Sequence, residues 1–391
     1  MDFTLSPKIE QTRAEFRAWL RSNLPDANRW KELHHQGPVR ERIEFLKEWQ
    51  HRLHDGRWVA VHFPSEYGGR DASLLEHLAV HEEMVRVAAP PLINGPSISI
   101  FGPTLLVFGR PDQKQRYLPK LFSAEEVWCL GFSEPNAGSD LASLRTRAAR
   151  DGDDWVLNGQ KVWTTYANQA DYCMFLVRTD PDAPQHKGIS CLIVPLRTPG
   201  VTVRPLREMT GDTDFNEVFL DNARVPADSV VGEVNKGWQV ILTALGHERG
   251  TLLLVDHMRR QEDMARLLKL IRWRGKTSDR TLRQQFAQFQ IEVEIMKLHC
   301  FKVMSDLEQG RPQSDVSILK LYGSELVQRL DDFGLSVQGP YAQLWRGTSR
   351  VPDEGRWQYG WLMARANTIA SGTSEVQRNI IAQRLLGLPR G

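Results

Sequence analysis

The spacing of apolar residues changes twice along this chain, and these changes limit the folds that it can adopt. Up to about residue 125 apolar residues recur at helical intervals. From about 126 to 232 the period falls to two, which is typical of β-strands. From Gly237 onward helical spacing returns and continues to the end. A β-unit between two helical parts is uncommon and narrows the choice of architecture.

We therefore predict an α+β chain that is mainly α, with three domains. Residues 1–125 form an N-terminal helical domain, 126–235 a central β-domain and 236–391 a C-terminal helical domain. The strand candidates of the central domain follow one another at nearly even intervals, and this favours a small barrel or sandwich. No internal repeat is present.

Asn158-Gly159 is the strongest hairpin signal in the central domain. It lies between two strand-like runs, Trp155–Leu157 and Gln160–Thr165. Asn-Gly pairs favour the tight turns that join antiparallel strands. We expect a hairpin here, with Trp163 near the end of its second arm.

Composition excludes several classes of protein. With 391 residues, 41% hydrophobic and 25% charged, the chain resembles an ordinary globular protein. A formal net charge of +2 gives no electrostatic reason to expect nucleic-acid or membrane binding. No apolar run reaches the ~18 residues of a spanning helix, and the start lacks a signal-peptide pattern. Four dispersed cysteines indicate neither a zinc site nor a disulfide framework. We expect a cytoplasmic protein without a metal.

A loop at Phe132–Asp140 is the first candidate site segment. Its Pro, Asn and Gly residues form turns, and small Ser139 allows a ligand to approach the backbone. Ser133 and Ser139 add hydroxyl groups that can bond a ring edge or a phosphate. A polar surface turn explains these residues equally well when they are taken alone.

Two further segments have the composition of a ligand site. Trp163-Thr164-Thr165 places an aromatic ring beside two hydroxyls, and Ile369–Glu375 places small residues before a helix, where N–H groups suit carbonyl or phosphate oxygens. Trp163 is more often a core residue, and Ser371–Ser374 could be a simple helix cap. Neither G-x-G-x-x-G nor G-x-x-x-x-G-K-[ST] occurs.

Together, in this order and spacing, the segments resemble the acyl-CoA dehydrogenase family of flavoproteins. Phe-Ser-Glu-Pro-x-Ala-Gly-Ser-Asp and Gly-Thr-Ser-Glu-Val-Gln-Arg are specific at this spacing. The likeness covers nearly the whole chain and includes Pro64–Gly69, Gln113–Pro119, Phe132–Asp140, Asn158–Thr165, Ile369–Arg378 and Leu386–Arg390.

The resemblance implies an N-terminal helical domain, a central β-barrel-like domain and a C-terminal four-helix bundle, with FAD between the last two. It also implies that Ser139 lies near the phosphate or pantetheine part of CoA. The FAD-binding residues that it implies are Phe132, Ser133, Gly138, Trp163, Thr164, Thr165, Ser371, Gly372, Thr373 and Glu375.

The implied reaction is the α,β-desaturation of an acyl-CoA thioester. A base removes the α-proton while the β-hydride passes to flavin N5. Because negative charge develops on the carbonyl oxygen, donors are needed there, each typically worth ~3 kcal/mol. The family's donors are a flavin ribityl hydroxyl and a backbone N–H, here that of Ser371. The base is a carboxylate, preferably with its pKa raised by burial.

The position of the base departs from the commonest family pattern. Many members have a glutamate immediately before the Gly-Thr of the last motif, where this chain has Ser371. A minority have it on the first long helix of the C-terminal domain, next to an arginine. There the chain has Gly-His-Glu-Arg-Gly, so we assign Glu248 as the base and Arg249 to the acyl-CoA pocket. The alternative for Glu248 is a solvated charge or an ion pair. Glu134, in the first loop, has no proton to take.

Two other motifs differ from the family's pattern. Its Arg-x-x-Phe-Gly segment, which reaches FAD across a subunit interface, has no clear counterpart, and Arg272–Arg283 occupies that region. Its Gln-x-x-Gly-Gly is replaced by Ser336–Pro340. Such changes are similar to those of bacterial members that act on bulky CoA thioesters such as sterol side chains, some of which are hetero-oligomers.

The resemblance also implies partners and leaves alternatives. We expect an electron-transferring flavoprotein as acceptor and a homodimer, a tetramer or a hetero-oligomer with a related subunit. Other flavin chemistry on the same fold, of the monooxygenase or nitroalkane oxidase type, is a second possibility. A third is a non-catalytic partner subunit, which would be purified without FAD.

Overall fold

The computed structural model describes most of the chain as two compact units. The described residues are 6–36, 38–252, 256–309, 316–345, 347–348 and 350–389, and the side chains of 34–36, 247–252 and 307–308 lie outside the description. Unit 1 comprises Met1–Glu208 and Asp212–Glu248, and unit 2 comprises Met209–Gly211 and Arg249–Gly391. The boundary at Glu248 falls within a helix, and each unit is taken by itself below.

Unit 1 begins with helices whose starts are encoded by capping residues. The hydroxyl of Ser6 accepts from the N–H of Ile9, and Ser73 and Glu76 form a reciprocal capping box. Phe16 and Trp49 lie in the apolar core that these helices share. The helices are α1 (Pro7–Asn23), α2 (Ala27–Gln36), α3 (Val39–Asp55), α4 (Leu74–Arg86), α5 (Gly95–Phe108) and α6 (Pro111–Ser123).

A mostly antiparallel sheet of eight strands completes unit 1. The strands are β1 (Trp128–Gly131), β2 (Arg147–Asp151), β3 (Asp154–Thr165), β4 (Tyr172–Arg178), β5 (Ile189–Pro195), β6 (Val201–Pro205), β7 (Phe215–Pro226) and β8 (Val230–Val231). Their order is β6-β7-β3-β2-β4-β5-β8, and β1 pairs with β4 in parallel. Helices, sheet and helices follow one another as expected, so the predicted mainly helical α+β fold is confirmed.

The predicted hairpin at Asn158-Gly159 is wrong, because β3 runs straight through these two residues. Both predicted arms pair with the same neighbour, β7, instead of with each other. Gly159 is needed for another reason: a Cβ there would lie 2.6 Å from the hydroxyl of Thr146. The tight turn lies earlier in the chain, between the paired residues Asp151 and Asp154. Gly152, in this turn, has a φ of +58°.

Unit 2 is helical. Its core includes Leu267, Met296 and Leu330, which come from three successive helices. The helices from the boundary onward are α7 (Gly237–Leu252), α8 (Asp256–Trp273), α9 (Arg280–Glu308), α10 (Val316–Gln338), α11 (Arg356–Asn367) and α12 (Ser374–Ile380).

A buried charge network joins α8, α10 and α11 within unit 2. Asp263 lies 3.0 Å from Arg260 and 2.6 Å from Arg356. Asp331 faces this group from α10. Burial, together with the charge of Asp263, raises the pKa of Asp331 to about 7, although Arg260, Arg356 and Arg365 act in the opposite direction. Burial therefore favours the neutral form of Asp331.

Within the described residues, no helix combines the length and apolarity needed to cross a membrane. Over the same ranges, no cluster of three or more His, Cys, Asp or Glu side chains could hold a metal ion.

Candidate functional site

The Phe132–Asp140 loop leaves β1 and turns sharply. The Glu134 and Ala137 backbones bond each other in both directions, with N···O distances of 2.9 and 3.1 Å. The Val162 N–H donates to the Ser133 carbonyl at 3.0 Å, so the loop lies against β3. Phe132 and Ser133 are half-buried. The structure therefore brings the first candidate segment and the Trp163 strand together.

A buried ion pair fixes this loop. Lys161 of β3 is 0% exposed, and its Nζ lies 2.8 Å from Glu134 Oε1 and 3.0 Å from the Phe132 carbonyl oxygen. The remaining lone pairs of Glu134 accept from the backbone N–H groups of Arg145, at 2.7 Å, and Thr146, at 2.8 Å. A buried charge needs this degree of compensation to be tolerated.

The electrostatics of the pair make Glu134 a structural anion. Burial alone would raise the pKa of Glu134, but the Lys161 charge and the donated hydrogen bonds outweigh it and hold that pKa below its usual value. Burial lowers the pKa of Lys161, opposed by Glu134. The carboxylate of Glu134 is ionised and surrounded by donors, so it is poorly suited to remove a proton.

Trp163 occupies a β-bulge. Between Lys161 and Thr164, the two residues Val162 and Trp163 of β3 lie opposite a single residue of β7, and Trp163 takes a left-handed conformation with φ of +61°. The bulge leaves its indole 60% exposed, with an edge contact to the Phe215 ring. A strained, exposed tryptophan suits a role as a binding surface better than one in the core.

The two threonines after Trp163 differ in their surroundings. Thr164 is buried, its carbonyl accepts from Asn216 Nδ2 at 3.0 Å, and its hydroxyl has no partner among the described residues. Thr165 is half-buried. A buried hydroxyl without a partner is costly, and this one is closed to a ligand because Thr164 is 0% exposed.

Gly138 and Ser139 lie on the exposed part of the first loop. A Cβ at Gly138 would have no described atom within 4 Å, so nothing in the chain itself requires glycine there. Asp140 accepts from Gln185 Nε2 at 2.9 Å and anchors the end of the loop. The open space over Gly138 is available for a ligand.

The third segment, in unit 2, has two successive left-handed residues, Ser371 with φ of +55° and Gly372 with φ of +88°. Ser371 is exposed. The Thr373 hydroxyl accepts from the N–H of Val376 at 3.2 Å and caps α12. The predicted helix cap is therefore present, and it is compatible with a ligand on the exposed side of the loop.

Glu375 is exposed in the first turn of α12. Its own backbone N–H and the Thr373 hydroxyl hold the pKa of Glu375 below its usual value. Glu375 is therefore ionised at neutral pH and lacks the burial that makes a carboxylate a good base.

Glu248 and Arg249 stand in α7, but their side chains lie outside the described residues. Their assignment to the catalytic base and the acyl-CoA pocket stays a prediction. So do the roles of the other ten predicted cofactor residues and of Ser139, although the structure shows where each of these lies.

Each of the three segments, taken by itself, has the chemistry that a flavin cofactor needs. In unit 1 an exposed indole suits a planar ring, and the half-buried Thr165 carries a hydroxyl that suits a ring edge. In unit 2 the N–H groups of Gly372 and Thr373 have no acceptor among the described residues. Such donors suit the oxygens of a cofactor or of a thioester.

Sequence reasoning missed two buried lysines, Lys161 and Lys320. The local sequence pattern indicates that each is buried. Lys161 is an even number of residues from Trp155 and Leu157 on β3 and so points to the same, buried side, and Lys320 falls on the apolar face of α10. A lysine in an inward position needs a partner, and both have one in a candidate loop.

Family models for the N-terminal, middle and C-terminal domains of acyl-CoA dehydrogenases match residues 6–125, 129–223 and 235–386. The chain belongs to the acyl-CoA dehydrogenase family. The resemblance seen in the sequence is thereby confirmed. The protein is an oxidoreductase of the acyl-CoA dehydrogenase type and belongs to a family of flavoproteins.

The acyl-CoA dehydrogenase IpdE1 of Mycobacterium tuberculosis is 38% identical over 385 residues, 98% of each chain. Among solved structures, the "Tcur3481-Tcur3483 steroid ACAD" has a TM-score of 0.89 and 32% identity, with both chains fully covered. The ChsE4-ChsE5 complex from Mycobacterium tuberculosis has a TM-score of 0.86 and 31% identity, also with full coverage.

Proposed function

We propose that this enzyme uses FAD to introduce an α,β double bond into an acyl-CoA thioester with a bulky, steroid-like acyl group. The observation that carries the FAD assignment is the bulge at Trp163, which presents an exposed indole beside the half-buried Thr165. The substrate class is supported by likeness to a steroid ACAD at 32% identity over the full chain.

The residues of the three segments bind and orient the cofactor. When bound, FAD accepts the β-hydride of the substrate. Phe132, Ser133 and Gly138 form one wall of the cofactor site, and the Lys161–Glu134 pair keeps that wall in place. Trp163 would lie against the ring, with Thr164 and Thr165 following it on β3 and Thr165 offering a hydroxyl. The backbone from Ser371 to Thr373, followed by Glu375, would offer N–H donors.

Glu248 removes the α-proton. Within the three segments the acidic candidates are poor: Glu134 is paired with Lys161, and Glu375 is exposed with a lowered pKa. Ser371 stands where many members have the base, and a hydroxyl cannot replace a carboxylate in that role. The Gly-His-Glu-Arg-Gly sequence on α7 is the motif that supports Glu248.

Ser139 and Arg249 bind the CoA and acyl parts of the substrate. Ser139 is exposed at the tip of the first loop, next to the open space over Gly138. The Ser371 N–H donates to the thioester carbonyl oxygen, where negative charge develops as the α-proton leaves.

We also propose a cytoplasmic hetero-oligomer with a related subunit, and an electron-transferring flavoprotein as acceptor. One similar structure is the ChsE4-ChsE5 complex, and a second is the steroid ACAD Tcur3481-Tcur3483, whose name also combines two proteins. A partner subunit could supply the basic contact for FAD that the missing Arg-x-x-Phe-Gly segment provides in other members. The division into domains at 125 and 235 is part of the same proposal.

Anaerobic titration tests the function. The purified enzyme should be yellow, and its flavin absorbance near 450 nm should bleach with steroid-side-chain CoA thioesters faster than with straight-chain acyl-CoAs. Bleaching by straight chains alone would contradict the substrate class. A yellow protein that no acyl-CoA bleaches would contradict the reaction, and a colourless protein that stays colourless with FAD would indicate a non-catalytic subunit.

A further inference from the structure

Lys320 is a buried lysine, and one of its hydrogen bonds goes to the third candidate segment. It lies on the apolar face of α10, between Val316 and Gly323, and is 4% exposed. Its Nζ donates to the carbonyl oxygen of Gly372 at 2.6 Å. Lysine is almost never buried to this degree without a specific contact. The contact therefore has a role that an apolar residue at the same position could not perform.

Gln377 holds the neighbouring carbonyl in the same way. Its side chain is 0% exposed, and its Nε2 donates to the Ser371 carbonyl oxygen at 2.9 Å. Two successive carbonyls of the loop are thus held by two buried donors, one from α10 and one from α12. A loop with both carbonyls fixed has little freedom to rotate its peptide planes.

The direction of the N–H groups follows from peptide geometry. Both peptides are trans, as are all those of the described residues, and in a trans peptide the C=O and the following N–H point in opposite directions. The Gly372 N–H therefore points away from Gln377, and the Thr373 N–H points away from Lys320. Neither N–H has an acceptor in the described part of the chain.

We propose that Lys320 is a positioning residue that holds the Gly372–Thr373 peptide with its N–H directed at an oxygen of a bound ligand. The inference rests on the proposed function, which supplies two ligands with a suitable oxygen. One is FAD, through a phosphate or ring carbonyl oxygen, and the other is the acyl-CoA thioester. Both present a negatively polarised oxygen, and this is the chemistry that an oriented backbone N–H recognises.

Three variants of Lys320 test this role. Lys320→Met removes the donor and the charge, Lys320→Gln keeps a neutral donor, and Lys320→Arg keeps both in another shape. Lys269→Met is the matched control, because Lys269 is an exposed lysine of α8 in the same unit. Each variant is purified as holoenzyme, and its thermal unfolding is recorded beside the two binding measurements.

The first measurement is the affinity for FAD, from the fluorescence of the FAD that dissociates when the holoenzyme is diluted. The second is the affinity for the enoyl-CoA product of the substrate that bleaches the wild type, from the shift of the flavin spectrum. We expect Lys320→Met to weaken one of these by about 10- to 100-fold, with partial rescue by Lys320→Arg and no change in Lys269→Met.

The outcome assigns the oxygen or overturns the proposal. Weaker FAD binding assigns it to the cofactor, and weaker product binding with normal FAD binding assigns it to the thioester. Unchanged affinities in a folded Lys320→Met overturn the proposal. A loss of affinity also overturns it if Lys320→Arg does not restore the affinity and the loss follows a decrease in thermal stability. If Lys320→Met does not fold, the same criteria apply to Lys320→Gln. A wild type that binds FAD without bleaching contradicts the proposed reaction alone.

Discussion

Two candidate loops are each held by a buried lysine, and the two contacts do different things. Lys161 of β3 bonds the Phe132 carbonyl and the Glu134 carboxylate, so it neutralises a charge that the loop itself brings into the protein. Lys320 of α10 bonds the Gly372 carbonyl and so sets the direction of a peptide plane. A buried lysine near a site can thus serve either stability or ligand orientation, and mutation separates the two roles.

The largest effect on stability is expected for Lys161→Met. It leaves the Glu134 carboxylate buried without its cation, and breaking a buried pair in this way costs about 3–5 kcal/mol. Urea unfolding monitored by tryptophan fluorescence should show that loss in the free energy of unfolding. The control is Lys187→Met, an exposed lysine of the same unit, which should change it by less than about 0.5 kcal/mol.

The double variant Glu134→Gln/Lys161→Met sharpens this result. With both charges gone, no isolated charge remains buried, and part of the lost stability should return. A double variant that is less stable than Lys161→Met alone would show that the pair does not act as a unit.

A second buried carboxyl, Asp331, should respond to pH with the opposite sign to Glu134. The pKa of Asp331 is about 7 in the folded protein, above the ~3.9 of an unfolded chain. Its contribution to the free energy of unfolding is therefore greatest below pH ~4 and is lost as the pH rises to about 7. The pKa of Glu134 is lowered on folding, so its contribution is present above pH ~4.3 and is lost as the pH falls through the folded value.

Asp331→Asn removes the first of these contributions, because an amide does not ionise. We expect the variant to be more stable than the wild type by about 1–3 kcal/mol at pH 8, and by much less at pH 5. Thermal unfolding at the two pH values checks this. Equal effects at both values would show that Asp331 does not titrate in this range. Asp332→Asn, an exposed neighbour on α10, is the control.

The smallest effect is expected for Trp163→Ala, which tests binding without a buried charge. Because the indole is 60% exposed, its removal should leave stability almost unchanged and weaken FAD binding by about 1 kcal/mol, or roughly fivefold. FAD release on dilution measures this. Trp273→Ala, at a similarly exposed tryptophan of unit 2, should leave FAD affinity unchanged, and equal losses in both would contradict a specific role for Trp163.

Hydrophobic period alone was enough to predict the order of helices, sheet and helices, because it records which faces are buried. The Asn158-Gly159 hairpin failed because turn propensity is local, whereas strand pairing depends on which neighbour, here β7, accepts both halves. The bulge at Trp163 depends on the same pairing. The motif residues of the loops were predictable from the family resemblance.

The buried lysines were harder to foresee, for a related reason. Their inward positions on β3 and α10 follow from period, but the acceptors lie 27 residues away for Lys161 and 52 for Lys320. Spacing within one element says that a partner is needed, and only the tertiary structure says which one. The direction of the Gly372 and Thr373 N–H groups depends on those partners as well.

In the mechanism that we propose, the candidate loops hold the ligands while Glu248 takes the proton. Anaerobic stopped-flow bleaching by the preferred acyl-CoA, in Glu248→Gln and Ser371→Ala, tests it most directly. We predict that Glu248→Gln slows bleaching by about 10²- to 10⁴-fold with product binding retained, while Ser371→Ala stays within a few-fold of the wild type. Bleaching by Glu248→Gln at the wild-type rate would contradict the claim.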